Sequence, residues 1–127
     1  MKVRRRRTLA PVLCLIGALL ASAAAASECR DDPKRVDACF SVHGRIAIGA
    51  NLRIRLWPVG THRLMAIAYP PDGAEKDPFM PENLRRVLDL QSAIFGDYEI
   101  CPLSPERPGR MRFVCVQSAS HLLRKPQ

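Results

Sequence analysis

Residues Phe40 to Ile48 alternate, with Phe40, Val42, Ile46 and Ile48 on one face and Ser41, His43, Arg45 and Ala47 on the other. A period of two predicts a half-buried β-strand. Gly49-Ala50-Asn51 then predicts a three-residue turn, and Leu52 to Trp57 alternates again with the same parity. Pairing Ile48 with Leu52 places both apolar sets on one face. On the opposite face that register sets His43 across from Trp57 and Arg45 across from Arg55, with Arg53 alongside. After a turn at Pro58-Val59-Gly60-Thr61, His62 to Tyr69 predicts a third strand, apolar on both sides from Leu64 onward. Gly44, on the apolar face of the first strand, predicts a bulge or a barrel corner.

Pro70 to Pro78 is too rich in proline and charge to lie inside an element, and predicts a loop. A helix follows, with Pro81 at its first position, Glu82 facing the positive end of the helix dipole, and Leu84, Val87 and Leu88 on one face. Gly96 closes that segment, and Asp97 completes the turn through its side chain. Asp97 to Leu103 and Met111 to Gln117 read as two more strands, joined by the turn-rich stretch Ser104 to Arg110. Ser118 to Gln127 turns polar and is expected to fray, with Leu122 and Leu123 able to dock. The order predicts a mainly β fold: a small OB-like five-stranded antiparallel barrel or sheet, with one helix between strands 3 and 4.

The N-terminus changes the picture of charge. Met1 to Thr8 is a basic stretch, Leu9 to Ala21 is apolar, and Ala23 to Ala26 supplies small residues before Ser27. This is the three-part plan of a secretory signal peptide, with cleavage expected between Ala26 and Ser27. The apolar run falls short of the ~20 residues a spanning helix needs, so no stable membrane span is expected after cleavage. Cys14 follows Leu13 and Cys29 follows Glu28, neither being the small residue an acylation site requires. Arg6-Arg7 resembles a twin-arginine signal in passing, and general secretion is the simpler route. The expected organisation is a signal peptide at 1–26, an N-terminal segment at 27–38, one β-rich domain at 39–120 and a tail at 121–127.

The whole chain has 20 Lys and Arg against 12 Asp and Glu, a formal +8 over 127 residues. Lys2 and Arg4 to Arg7 account for five of those positives. Subtracting them leaves 15 against 12, or +3 for the exported chain, which removes most of the case for nucleic acid as partner. The leader also takes Cys14, leaving four of the five cysteines: Cys29, Cys39, Cys101 and Cys115. An even number in an oxidising compartment predicts two disulfides, for which three connectivities exist. If the last two strands form a hairpin, Cys101 faces Cys115 and leaves Cys29 for Cys39. With no Cys-x-x-Cys and no His-x-His, and with His43, His62 and His121 far apart in sequence, no metal or other cofactor is expected.

Four blocks stand out together: Cys39 to Arg45, Arg55 to Thr61, Phe95 to Leu103, and Val114-Cys115-Val116. They resemble a group of small exported bacterial proteins of uncharacterised function. The resemblance covers most of Cys39 to Ser120 and implies an exported domain, with no activity, cofactor or site residue attached to it.

Candidate chemistry concentrates on the polar face of the first hairpin. Guanidinium groups at Arg45, Arg53 and Arg55 beside the indole of Trp57 suit a small anionic ligand with a planar part, and His43 adjoins them. For catalysis, His43 or His62 is the available acid or base, and Asp97 or Glu99 the available orienting carboxylate. No serine sits in a nucleophile-elbow motif and no glycine-rich phosphate loop occurs. The favoured expectation is a non-enzymatic binding or structural module. The alternatives are a small extracytoplasmic enzyme using His43 or His62, and a protein-docking or inhibitor domain presenting its Pro70 to Pro81 loop.

Overall fold

The computed structural model describes residues 27–70 and 72–127; the leader, with Cys14 and Ala26, lies outside the described residues. Five strands form a closed ring in the order β1-β2-β3-β5-β4. They are β1 (Phe40–Ile48), β2 (Ile54–Pro58), β3 (Met65–Ile67), β4 (Ser92–Pro102) and β5 (Arg112–Pro126). A single turn of helix, α1 (Glu82–Arg85), falls between β3 and β4 as expected. The sheet is mixed, which corrects the expected all-antiparallel arrangement: β3 and β5 run parallel, with Met65 opposite Arg112 and Ile67 opposite Val114. The long connection from β3 through α1 allows this, because β4 and β5 arrive as one hairpin and β5 closes the ring on β3. Among the described residues no helix is long and apolar enough to cross a membrane.

The first hairpin keeps its faces but slips by two residues. Arg45 pairs with Trp57 and Ala47 with Arg55, so His43 is not across from Trp57. The turn is longer than three residues. Asn51 and Leu52 both take positive φ, 61° and 58°, and the Gly49 amide donates to the Arg53 carbonyl at 2.8 Å. Because the slip is even, the apolar set still faces the interior.

Inside the ring lie Ile46, Leu56, Ile67, Ile94, Tyr98, Ile100, Val114 and Val116, all essentially without exposure. Burial of a side chain of this size contributes about 1.5–3 kcal/mol before the entropy of ordering is counted. The segment from Phe79 to Leu84 packs on this core beside the later part of β5, where Asn83 donates to the Ala119 carbonyl and Arg124 to the Val87 carbonyl, both at 2.7 Å. Phe79, Met80 and Pro81 are therefore buried, and the loop expected to project as far as Pro81 does so only in its earlier part.

β4 and β5 are longer than the sequence pattern implies. Gly96 and Asp97 lie inside β4, and the expected fraying tail continues β5 to Pro126. Two irregularities interrupt this ladder, one between Phe95 and Asp97 and one between Glu99 and Ile100. At the first, β5 carries an extra residue and His121 takes φ 51°. Gly44, by contrast, sits in unbroken ladders on both sides, so it marks no bulge; it faces Gly96 across β1 and β4.

Both disulfides exist, and the pairing differs from the local one. Cys29 bonds Cys115 and Cys39 bonds Cys101. Cys101 and Cys115 do face each other in register, yet each has a nearer suitor from the N-terminal segment. Phe40 pairs with Ile100, which sets Cys39 against Cys101 with Cα atoms 4.1 Å apart. The Ser27 amide donates to the Gln117 carbonyl at 3.0 Å, and this lays Cys29 against Cys115. Gln117 is buried and holds the same segment through its side chain, donating to the Ser27 carbonyl and accepting from the Arg30 amide.

Candidate functional site

One end of the ring is open. The start of β1, the end of β2, the start of β3 and the start of β5 meet there, and the β2–β3 and β4–β5 loops stand around them. The resulting cleft has a volume of about 660 Å³. Its apolar lining comes from Phe40, Val42, Leu64, Met65 and Met111, of which Phe40, Leu64 and Met111 are substantially exposed. Alternation explains the lining: Phe40 and Val42 belong to the inward set of β1, and toward the open end, beyond Ile46, they are only partly covered. Clefts of this size at a barrel mouth suit small ligands.

The rim is basic. Arg63 on the β2–β3 loop forms an ion pair with Glu106 on the β4–β5 loop, tying the two loops together. Arg112 is committed to the fold, donating to Asp37 at 2.7 Å and to the Ser104 carbonyl at 3.0 Å. Arg107 and Arg110 have no acidic partner among the described residues, and they also line a shallower hollow of about 260 Å³ with Phe113. The arrangement offers an apolar pocket with two available guanidinium groups at its lip. His62 lines the same cleft.

The residues expected to form a site lie on the outer wall instead. His43, Arg45, Arg55 and Trp57 share that face, and Arg53 lies in extended backbone immediately before β2. The Trp57 indole N–H donates to the Thr61 carbonyl at 2.7 Å, so its polar edge is already occupied. His43 is held from the other side: Asp97, its neighbour across β1 and β4, accepts from His43 Nδ1 at 2.9 Å. The second oxygen of Asp97 accepts from His121 Nδ1, also at 2.9 Å. One carboxylate thus orients two imidazoles and leaves both Nε2 atoms outward.

Hydrogen bonding from His43 is the main reason the Asp97 carboxyl titrates below the ordinary carboxylate range; partial desolvation opposes it and His121 adds to it. Sequence reasoning had Asp97 as a possible orienting group but missed His121, because only the extra residue in β5 turns that side chain toward Asp97. It also missed Arg107, Arg110 and Met111. Their signal was present as an arginine-rich loop set between two apolar strand ends.

No group of histidine, cysteine and acidic side chains arranged to hold a metal ion occurs among the described residues. No protein-family model, curated protein or solved structure matches the chain.

Proposed function

We propose that the chain is an exported OB-like binding module that takes an amphipathic anion into the open end of its ring. The carrying observation is the cleft of about 660 Å³, with an apolar floor and with Arg107 and Arg110 at its lip. An aliphatic or aromatic body fits the floor, and a carboxylate fits the guanidinium pair. Export is supported by the signal-like leader and by two disulfides, which persist in oxidising compartments. Ser27, first after the expected cleavage point, is anchored on β5 through its main-chain nitrogen and its hydroxyl. The five-strand order with a helix after the third strand supports the OB-like reading, and the resemblance to small exported bacterial proteins agrees with it.

The test is titration of the mature, oxidised chain with dodecanoate below its micelle concentration, followed by fluorescence of the single tryptophan. Trp57 is bonded to Thr61, which lines the cleft, so occupancy reaches it. Saturable binding is expected, weaker for dodecanol. The double variant R107Q/R110Q lowers affinity roughly 5- to 10-fold, the size of one partly exposed charge-assisted contact. Equal binding of acid and alcohol, or no saturation, overturns the proposal.

A second reading, a small extracytoplasmic enzyme using His43, is favoured by one observation, the Asp97 bond that fixes its ring. Its signature is turnover lost in H43N while the fold and dodecanoate binding are retained.

A further inference from the structure

Six of the twelve described arginines meet a carboxylate, and Arg35, Arg45, Arg53, Arg55, Arg107 and Arg110 do not. Arg30, Arg63, Arg85, Arg86, Arg112 and Arg124 each meet a carboxylate. Arg45 and Arg55, half-buried on the outer wall, meet none among the described residues. The Arg55 Nε is shielded from solvent and has no hydrogen-bond partner among the described residues. A desolvated charged donor left unsatisfied is costly, and such a group calls for an explanation.

Register places the two side chains together. Arg45 lies opposite Trp57 and Arg55 opposite Ala47, which makes the arginines diagonal neighbours with Cα atoms roughly 7–8 Å apart. Arg55 is flanked on its other side by Ala66. The residues beside the Arg55 backbone, Ala47 and Ala66, and Ala93 next to Ala47, are small and covered by their neighbours. Arg45 has Trp57 on one side and Phe95 on the other, and Lys125 stands over the Phe95 ring at 5.0 Å. The carboxylate closest in the ladder, Asp97, is already engaged by His43 and His121.

We infer that Arg45 and Arg55 form an oxyanion site on the outer wall, separate from the open end of the ring, whose ligand chemistry is a phosphate group. Two forked guanidinium groups at that spacing can each donate in pairs to one tetrahedral anion, which a single ammonium group cannot do. The indole of Trp57 and the ring of Phe95 then flank whatever planar group the phosphate carries. Lys125 adds positive potential from β5.

The experiment is a nitrogen-15 NMR titration of the mature, disulfide-bonded chain with inorganic phosphate, read at the arginine Nε–H and tryptophan indole resonances, with ionic strength held constant by potassium chloride. Saturable shifts confined to Arg45, Arg55 and Trp57 are expected. The variant R55Q weakens the binding read at Arg45 and Trp57 at least tenfold, and R55K at least threefold. Should R55Q fail to fold by thermal melting, R45Q takes its place. Shifts that chloride reproduces, that grow without saturation, or that vanish in R107Q/R110Q overturn the inference. Failure of dodecanoate to bind leaves it standing, because the probe and residues differ.

Discussion

Replacing Gly96 with alanine adds one methyl group at a crowded point of the ring. Gly96 does not occupy the left-handed region, so the cost is steric and not conformational. An ideal Cβ there lies 2.7 Å from Leu122 Cδ2, 2.9 Å from the Ser120 carbonyl oxygen and 3.3 Å from Tyr98 Cζ. Leu122 can rotate away, but the other two cannot. The Ser120 carbonyl precedes His121, whose positive φ belongs to the extra residue in β5. The Tyr98 ring is buried and pinned by its hydroxyl donating to the Ile94 carbonyl at 2.7 Å. Relief requires opening the β4–β5 ladder.

Overpacking of this kind costs about 1–3 kcal/mol, and the opposing Ser120 carbonyl and pinned Tyr98 ring place G96A near the upper end. The lower entropy of the unfolded alanine chain offsets about 0.4–1 kcal/mol. The expected net loss is about 2 kcal/mol, or roughly 8–16 °C in Tm for a domain near 100 residues. Gly44 directly opposite is the control. Its Cβ meets Leu56 Cδ1 at 2.7 Å, a movable side-chain end, and the Trp57 carbonyl only at 3.1 Å, so G44A should cost less than about 1 kcal/mol. Thermal and guanidinium unfolding of both variants decide the matter. A G96A variant as stable as wild type, or G44A more damaging than G96A, refutes the reasoning.

Two further outcomes follow from bonds already described. Removing the Cys29–Cys115 bridge as C29S/C115S frees a loop that the nested Cys39–Cys101 bridge has already shortened from a sequence separation of 86 to about 25 residues, for which chain entropy alone gives a loss of about 3–4 kcal/mol; a guanidinium midpoint that barely moves refutes this. For Asp97, the native pKa is depressed, so its stabilising contribution is present above the ordinary carboxylate range and lost as pH falls through the depressed native value. Wild type should therefore exceed D97N in Tm near neutrality and converge with it on acidification. A gap that widens toward low pH contradicts that sign.

The strand β1 was legible from the sequence because its inner and outer residues alternate without interruption from Phe40 to Ile48. The hairpin slipped by two because Leu52 reads as an apolar strand residue, whereas its φ of 58° puts it in the turn. Ser92 to Gly96 read as the end of a helix, since Leu84, Val87 and Leu88 begin a helical period that the tertiary fold stops after one turn. The polar half of β5 gave no strand signal of its own; its partner β4 decides its conformation. The site divided in the same way. Arg45, Arg55 and Trp57 share a face by local alternation, which sequence reveals. The cleft at the open end joins residues from three distant stretches, and the disulfide pairing depends on where the N-terminal segment lies, neither of which has a local signature.

The bridges also impose an order on maturation. A chain that emerges N-terminus first presents Cys29 and Cys39 well before Cys101, and these two belong to different bridges. Any oxidation at that stage joins the wrong partners, and correction without a catalyst takes minutes to hours. Correct closure must wait for β4 and β5, the last strands to appear, so the ring and its crosslinks are completed together at the very end. A cell making this protein gains by holding its first two thiols reduced, or by supplying an enzyme that reshuffles them.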